Sequence, residues 1–256
     1  MDLKLHNKIA LITGASKGIG FACATRLAAE GCHLRLAART TADLHNAQQK
    51  IQAQFEVDVQ VFPCDLAIGD QVRDLMAKNL DIDILINNAG AIPNGFLEDI
   101  DESTWRNAWD LKVFGYINTC REAFRNMKSR KHGVIINIIG AGGERPTPNY
   151  IVGGAGNAAL MAMSRALGSD SLKYGVRVLG LNPGLIKTER LETLMRAHAK
   201  RKFNDESRWR EMLNPELPPG EPDNIADMVA LLASDLSCFT TGTIVTVDGG
   251  ASARFA

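Results

Sequence analysis

The chain has 256 residues, of which 45% are hydrophobic, and its 29 basic and 29 acidic residues balance to a formal net charge of zero. A chain of this length can bury one substantial core, so we expect a single domain over residues 1–256. The balanced charge excludes a general electrostatic attraction to nucleic acid or to an anionic membrane, and it favours a small-molecule ligand.

The cysteines and the N-terminus bear on the compartment. The five cysteines are widely spaced, form no CxxC pair and have no matching histidine cluster for zinc, so we expect reduced core residues and no metal site. The first eight residues are polar and lead into a short apolar run that lacks the length of a signal peptide or a spanning helix. The sequence therefore predicts a cytoplasmic protein that is not attached to a membrane.

Short apolar runs alternate with longer helical patterns along the whole chain. Their nearly continuous apolar character is typical of parallel strands that are covered on both faces. Seven runs are predicted to be buried strands: residues 9–13, 34–38, 57–62, 82–87, 134–139, 176–181 and 243–247. The pattern predicts a Rossmann-type α/β fold, a doubly wound parallel sheet with helices on both faces.

A glycine-rich turn follows the first strand. Residues 14–20 read Gly-Ala-Ser-Lys-Gly-Ile-Gly, and a helical pattern begins at Phe21. Such glycines let the backbone approach a pyrophosphate, whose charge is stabilised by the helix N-terminus. We expect this turn to bind a dinucleotide; a turn between strand and helix without a ligand is the alternative.

The end of the second strand bears on the choice of cofactor. An NAD site places a carboxylate there for the ribose 2′-hydroxyl, whereas this chain has Ala37, Ala38, Arg39 and Thr40. Arg39, together with Lys17 of the glycine turn, can hold a 2′-phosphate because a guanidinium matches phosphate geometry. The pair predicts NADP(H); two solvated surface cations are the alternative.

Two segments interrupt the alternation, and each follows a strand. Residues 140–148 are rich in glycine and proline, and residues 188–219 form an insertion before the last helix. Ligands of open α/β sheets bind beyond the carboxyl ends of the strands, so both segments are expected to contact the substrate. Residues 191–210 predict a basic amphipathic helix pair, either a lid that favours an acidic substrate or a solvated basic face. His198, within this segment, is expected to be exposed and without a partner.

Further segments carry a resemblance to the short-chain dehydrogenase/reductase family over essentially the whole chain: residues 64–66 (Cys-Asp-Leu), 87–90 (Asn-Asn-Ala-Gly), 182–184 (Asn-Pro-Gly) and 241–250. The resemblance implies that residues 65 and 66 hold the adenine, that residues 88–90 line the ribose and that residues 183–188 seat the nicotinamide. It also implies a homo-oligomer, a tetramer or dimer. The predicted cofactor-binding residues are Gly14, Ser16, Lys17, Gly18, Ile19, Gly20, Arg39, Asp65, Leu66, Asn88, Ala89, Gly90, Pro183, Gly184 and Thr188.

The catalytic positions of that family are a Ser, a Tyr, a Lys four residues after the Tyr, and an Asn on an earlier helix. In this chain the corresponding residues are Gly140, Gly153, Asn157 and Lys112. The tyrosine, whose pKa the lysine lowers in the family, is therefore absent. The Lys and Asn have exchanged places, so an ammonium and an amide are both retained and only a proton donor or acceptor is missing. The alternative for Lys112 is a surface or structural cation.

Tyr150 is the nearby candidate for the missing group. It precedes the tyrosine position by three residues, which on a helix gives a similar face and an axial offset of roughly 4.5 Å. Alternatively, Pro146 and Pro148 place the start of the helix here, and the tyrosine packs with its hydroxyl in water. Glu144 and Arg145 rank below it as a base and a substrate clamp, and a salt bridge between them is the alternative.

Two functions from different classes follow. The first is an NADP(H)-dependent oxidoreductase that transfers a hydride between nicotinamide and an alcohol or carbonyl carbon, with Lys112, Tyr150 and Asn157 as an altered catalytic group. The second is a catalytically inactive NADP(H)-binding protein, a sensor or structural subunit, which the four changed positions motivate. Measured turnover discriminates between them.

Overall fold

Residues 2–254 are described by a computed structural model that alternates strands with helices from one end to the other. The strands are β1 (Ile9–Thr13), β2 (His33–Ala38), β3 (Val59–Pro63), β4 (Ile84–Asn87), β5 (Gly133–Ile138), β6 (Val176–Pro183) and β7 (Ile244–Val247). The helices are α1 (Gly18–Ala29), α2 (Thr41–Gln52), α3 (Gly69–Ala77), α4 (Glu102–Trp109), α5 (Gly115–Arg130), α6 (Ile151–Gly168), α7 (Glu189–Phe203) and α8 (Pro222–Ala233).

All seven strands lie in one parallel sheet in the order β3-β2-β1-β4-β5-β6-β7. The chain reverses its direction of winding between β1 and β4, where Leu11 pairs with Leu85. A crevice forms at the carboxyl ends of the strands at such a point, and ligands of open α/β sheets bind there. The predicted fold is confirmed, and each predicted strand overlaps an observed one.

Alternate residues of each strand point to opposite faces of the sheet, and helices cover both faces, which explains the continuous apolar runs. Ile12, Leu36 and Ile86 belong to the core on one face, together with residues of α1 and α8. Leu11 and Leu85 belong to the core on the other face, together with residues of α3 and α5. No helix among residues 2–254 is long and apolar enough to cross a membrane.

Two expectations require correction here. Cys238 is exposed, whereas the other four cysteines are buried as expected. The predicted helix pair at 191–210 is one α-helix, α7, followed by a 3₁₀ segment at Glu206–Met212. α7 begins two residues earlier than predicted because the Thr188 hydroxyl accepts a hydrogen bond from the Leu191 amide and so caps the helix.

Candidate functional site

The glycine turn lies at the carboxyl end of β1, against the segment that follows β4. Gly14 has a φ of +64°, and a Cβ built on it would lie 2.9 Å from the Cα of Ala89. A Cβ on Gly20 would overlap the carbonyl oxygen of Gly14. These two positions therefore require glycine, and the chain passes close to the Ala89 backbone as a result.

The start of α1 has an unusual surplus of backbone donors. Within residues 2–254, no protein acceptor is bonded to the amide N–H groups of residues 16–20, and no side chain caps the helix at Lys17. The first turn of α1 also contains no acidic residue. Free amides at a helix N-terminus bind anions, so this turn fits the pyrophosphate of a dinucleotide.

Asn88 joins this turn to the segment after β4. The Thr13 hydroxyl accepts hydrogen bonds from the amides of Asn88 (2.9 Å) and Ala89 (3.2 Å). In return, the Asn88 side-chain amide donates to the carbonyl oxygens of Thr13 (3.1 Å) and Gly14 (3.2 Å). The predicted ribose-lining residues thus lie beside the glycine turn, and Thr13 is a supporting residue that the sequence alone did not single out.

The two predicted phosphate-binding cations have different surroundings. Arg39 is exposed, and among residues 2–254 its side chain forms neither a hydrogen bond nor an ion pair. Lys17 is also exposed, but its ammonium lies 3.4 Å from the Glu189 carboxylate at the start of α7. Arg39 is therefore available to an anion, whereas Lys17 bridges the glycine turn and the inserted helix.

The remaining predicted cofactor residues line the same edge of the sheet. Leu66 is buried, and the carboxylate of Asp65 accepts a hydrogen bond from the Ala67 amide (3.0 Å). Pro183 ends β6, and Gly184 follows it. Thr188 lies across from the glycine turn, since a Cβ on Gly18 would be 3.4 Å from the Thr188 Cγ2. The fold thus brings residues from both halves of the sheet to one crevice.

Lys112 is buried, so it is not a surface cation, whereas the alternative of a structural cation stays open. It lies in a π-helical turn, Asp110–Phe114, between α4 and α5, and is only 8% exposed. Its ammonium donates to the carbonyl oxygen of Ile139 (2.5 Å) and to the Oδ1 of Asn157 (2.9 Å). Burial, with a smaller contribution from the charge of Arg190, lowers the pKa of Lys112 to about 7.

Gly140 and Gly153 leave room for the side chains of other residues. Gly140 has a φ of +133°, and a Cβ built on it would lie 3.0 Å from the Nδ2 of Asn157. A Cβ on Gly153 would overlap the aromatic ring of Tyr150. The Tyr150 ring therefore occupies space that any side chain at position 153 would need.

Tyr150 lies at the start of the helix, as the alternative based on Pro146 and Pro148 predicted, and the expected position within the helix is wrong. It is not on the helix: α6 begins at Ile151, and Tyr150 precedes it with a φ of −134° and a ψ of 35°. The side chain folds back over Gly153 and is partly buried, so it does not simply extend into water. Burial raises the pKa of the Tyr150 hydroxyl, opposed by smaller effects of Arg190 and Asn157. Tyr150 is therefore a neutral phenol near Asn157.

Glu144 has a structural role in the loop after β5. Its carboxylate accepts hydrogen bonds from the Asn182 side-chain amide (2.8 Å) and the Thr246 hydroxyl (2.8 Å). Asn182 in turn accepts a bond from the Gly140 amide (3.3 Å). Within residues 2–254, Glu144 and Arg145 form no salt bridge, so that alternative is wrong and the loop is tied to β6 and β7 instead.

Arg190 was missed at the sequence level, and His198 was misjudged. The Arg190 guanidinium donates to the carbonyl oxygens of Gly90 (2.5 Å) and Ile92 (3.0 Å), which places it beside the site. His198 has a partner, since its Nε2 lies 2.8 Å from the Asn94 Nδ2, and burial lowers its pKa. Both contacts join α7 to the segment after β4, which lies 98 to 104 residues earlier in the chain. Their sequence signal was their place in the insertion at residues 188–219, which was expected to contact the substrate.

Comparison with known proteins places this geometry in context. Residues 8–199 match the family model described as short chain dehydrogenase. The chain is 32% identical over 252 residues to 2-keto-3-deoxy-L-fuconate dehydrogenase of Xanthomonas campestris pv. campestris, covering 97% of this chain and 81% of the relative. It is 30% identical over 252 residues to a 3-oxoacyl-(acyl-carrier-protein) reductase of Chlamydia trachomatis serovar D. This match covers 96% of this chain and 98% of the relative. L-sorbose reductase of Gluconobacter frateurii, solved with NADPH and L-sorbose, is similar with a TM-score of 0.92 at 28% identity, and 100% of each chain is covered.

Proposed function

Because the chain belongs to the short chain dehydrogenase family, we propose that it is an NADP(H)-dependent oxidoreductase acting on a CH–OH or C=O group through an atypical catalytic group. The observation that carries the proposal is the buried Lys112 ammonium, which is bonded to the carbonyl oxygen of Ile139, just after β5, and to Asn157 on α6. The usual Ser, Tyr and Lys of the family do not stand at positions 140, 153 and 157, where this chain has Gly140, Gly153 and Asn157.

The crevice fits the proposed cofactor. The free amides of residues 16–20 would hold the pyrophosphate, and Arg39 would hold the 2′-phosphate. Asp65 and Leu66 would contact the adenine, and the residues after β6, as far as Thr188, would seat the nicotinamide. The bound nicotinamide would supply or accept the hydride. The NADPH in the sorbose reductase structure supports this assignment.

The protein's own contribution is to bind and protonate the substrate oxygen. An ammonium has three N–H donors, and two of those of Lys112 are used by Ile139 and Asn157, so one remains for a substrate oxygen. A pKa near 7 suits proton transfer at neutral pH. Tyr150, whose pKa is raised, stays protonated and donates a hydrogen bond, while Asn157 orients the ammonium.

The test is reduction of a broad panel of ketones and aldehydes, followed by the absorbance of NADPH. We expect Lys112→Met to lower kcat/KM at least about 100-fold, because it removes the proton donor and the charge that stabilises the alkoxide. Tyr150→Phe should lower it by a smaller factor. In the unaltered protein, reduction should slow as the pH rises through about 7, since the ammonium is lost, and this slope should be absent in Lys112→Met.

Two surface variants are matched controls. Lys50→Met on α2 and Tyr174→Phe after α6 alter the same residue types away from the crevice, and both should retain full activity. Retained activity in both Lys112→Met and Tyr150→Phe would refute the proposed catalytic group. NADPH binding without turnover of any compound would instead favour the inactive NADP(H)-binding sensor or structural subunit.

We further propose that residues 1–256 act as one dinucleotide-binding domain, with residues 188–219 as its substrate lid. The contacts of Glu189, Arg190 and His198 with the glycine turn and the segment after β4 support this role, because they hold α7 across the crevice. Opening and closing of such a segment would admit substrate and then exclude water.

Assembly as a tetramer or dimer stays a prediction, which light scattering can test. A cytoplasmic location also stays a prediction.

A further inference from the structure

Arg190 is held in a fixed position but is not neutralised. Its two terminal nitrogens bond to the carbonyl oxygens of Gly90 and Ile92, at 2.5 and 3.0 Å, which fixes the plane of the guanidinium. A guanidinium has five N–H donors, so about three are left for a ligand. The side chain is exposed on the crevice side of α7, and solvent or a ligand can reach those donors.

Lys112 lies on the other side of the same backbone segment. A Cβ built on Gly90 would be 3.0 Å from Lys112 Cδ and 3.6 Å from Cε, so the Gly90 backbone is in contact with the lysine side chain. The guanidinium bonded to the Gly90 carbonyl oxygen therefore borders the same residue as the lysine side chain, and its charge contributes to the lowered pKa of Lys112. The two cations flank one residue of the chain at the place where the substrate is expected.

No carboxylate balances this pair. Among residues 2–254, neither Lys112 nor Arg190 forms an ion pair, and the acids nearest to Arg190 in sequence are engaged elsewhere: Glu189 with Lys17, and Glu192 with Arg196. Two neighbouring cations in a partly desolvated site repel each other, which is reflected in the contribution of Arg190 to the lowered pKa of Lys112. The site lacks one negative charge that a ligand can supply.

We propose that Arg190 binds a carboxylate of the substrate, so that the enzyme acts on oxo acids or hydroxy acids. The inference rests on the proposed function, since Lys112 then holds the carbonyl oxygen while Arg190 holds the acid group. The planar fork of a guanidinium matches a carboxylate in a bidentate way. Because both cationic side chains border Gly90, they suit a carbonyl and a carboxylate that belong to one small substrate. The bound anion also keeps Lys112 protonated, as the reduction requires.

The kinetic test compares acids with their esters. Pyruvate, acetoacetate and levulinate place the carbonyl at three distances from the carboxylate, and each is assayed against its methyl ester with NADPH. We expect the best acid to exceed its ester in kcat/KM. Arg190→Met should lower kcat/KM for that acid about 100-fold more than kcat/KM for its ester, because both compounds lose the contacts of Arg190 with the segment after β4 but only the acid loses a charged partner. Arg190→Lys should recover part of the loss.

Arg106→Met is the matched control, since Arg106 is an exposed arginine on α4 that is ion-paired with Glu102. It should not change the preference for acid over ester. The inference would be overturned if Arg190→Met lowered kcat/KM equally for acid and ester, or if the unaltered protein preferred the esters.

A binding experiment separates this inference from the proposed function. Calorimetry of the same oxo acids with the NADP⁺ complex measures affinity without hydride transfer, because ligand and cofactor are both oxidised. Acid binding that is lost in Arg190→Met supports the carboxylate site even if no turnover is found. Absence of acid binding while esters are reduced overturns the site and leaves the oxidoreductase proposal intact. If Arg190→Met weakens NADPH binding instead, the guanidinium binds the cofactor pyrophosphate and the inference is wrong.

Discussion

The side chains of Lys112 and Asn157, which the proposed function assigns to an altered catalytic group, contact each other inside the fold. The 2.9 Å bond between the Lys112 ammonium and the Asn157 side chain spans 45 residues of sequence. The glycines make this arrangement possible. A serine at position 140 would need a φ of +133° and would crowd Asn157, and a tyrosine at position 153 would displace Tyr150. A side chain at position 140 or 153 therefore requires Asn157 or Tyr150, respectively, to move.

The lowered pKa of Lys112 makes stability depend on pH in a specific window. Lysine has a pKa of 10.5 when unfolded and about 7 in the fold, so between these values the unfolded chain binds more protons. The free energy of unfolding should therefore rise with pH from about 7 to about 10.5, by up to about 1.4 kcal/mol per pH unit from this group. Below pH 7 both states are protonated, and the cost of burying the charge is constant.

Urea unfolding at pH 7, 8 and 9 measures this effect as the difference between the unaltered protein and Lys112→Met, which removes the charge and keeps the apolar stem. As the pH rises, the free energy of unfolding of the unaltered protein should increase relative to that of Lys112→Met. Lys50→Met, on the exposed surface of α2, should follow the unaltered protein. Parallel pH profiles for the unaltered protein and Lys112→Met would contradict a lowered lysine pKa.

Individual helices are attached to the sheet by a few buried polar contacts. The carbonyl oxygens at the end of α8 have no partners within the helix, and a strand residue satisfies them. Arg177 of β6 is 5% exposed and donates to the carbonyl oxygens of Leu232 (2.6 Å), Ala233 (3.2 Å) and Ser234 (3.0 Å). The cation also lies at the negative end of the helix dipole, which adds a favourable electrostatic term.

Arg177→Met should therefore lower the free energy of unfolding by about 2–4 kcal/mol, because buried carbonyls lose a charged donor. Arg35→Met is the comparison, since Arg35 is also on a strand but pairs with the half-exposed Asp58, and it should cost less than about 1 kcal/mol. Both values come from urea unfolding at neutral pH. A loss for Arg177→Met no larger than that for Arg35→Met would show that the end of α8 contributes little.

On the scale of the whole molecule, the parallel sheet brings distant segments to one crevice. The glycine turn after β1, Asn88 after β4, Lys112 before α5 and Thr188 after β6 meet at the carboxyl ends of the strands. A cofactor bound along this crevice contacts both halves of the sheet. Binding to the folded state alone stabilises the entire domain, since the unfolded chain has no such crevice.

NADPH at about 100 times its dissociation constant should add roughly 2.7 kcal/mol, which corresponds to a rise in Tm of roughly 5–10 °C for a domain of this size. At equal concentration NADH should give a smaller rise, because only NADPH carries the phosphate that Arg39 would hold. Arg39→Ala should remove the difference between the cofactors, and Arg125→Ala, an exposed arginine on α5, should preserve it. Equal shifts from NADH and NADPH in the unaltered protein would contradict the preference for NADP(H).

The sequence by itself determined the fold, and it predicted where the cofactor binds. Strand periodicity, the alternation with helices and the glycine turn depend on residues that are close in sequence, so local patterns suffice to predict them. Arg39 belongs with these features because it directly follows β2. The boundaries differ by a few residues where turns and caps intervene, as at Thr188.

Only the tertiary structure decided how the catalytic region is arranged. The burial of Lys112 depends on Ile139 and Asn157, which are 27 and 45 residues away. The Tyr150 ring lies over Gly153 because the residue before α6 departs from helical geometry, which helical spacing does not predict. Arg190 became a candidate through bonds to Gly90 and Ile92, about 100 residues earlier. Side-chain directions in such loops and first turns are set by packing between distant segments, so no local pattern contains them.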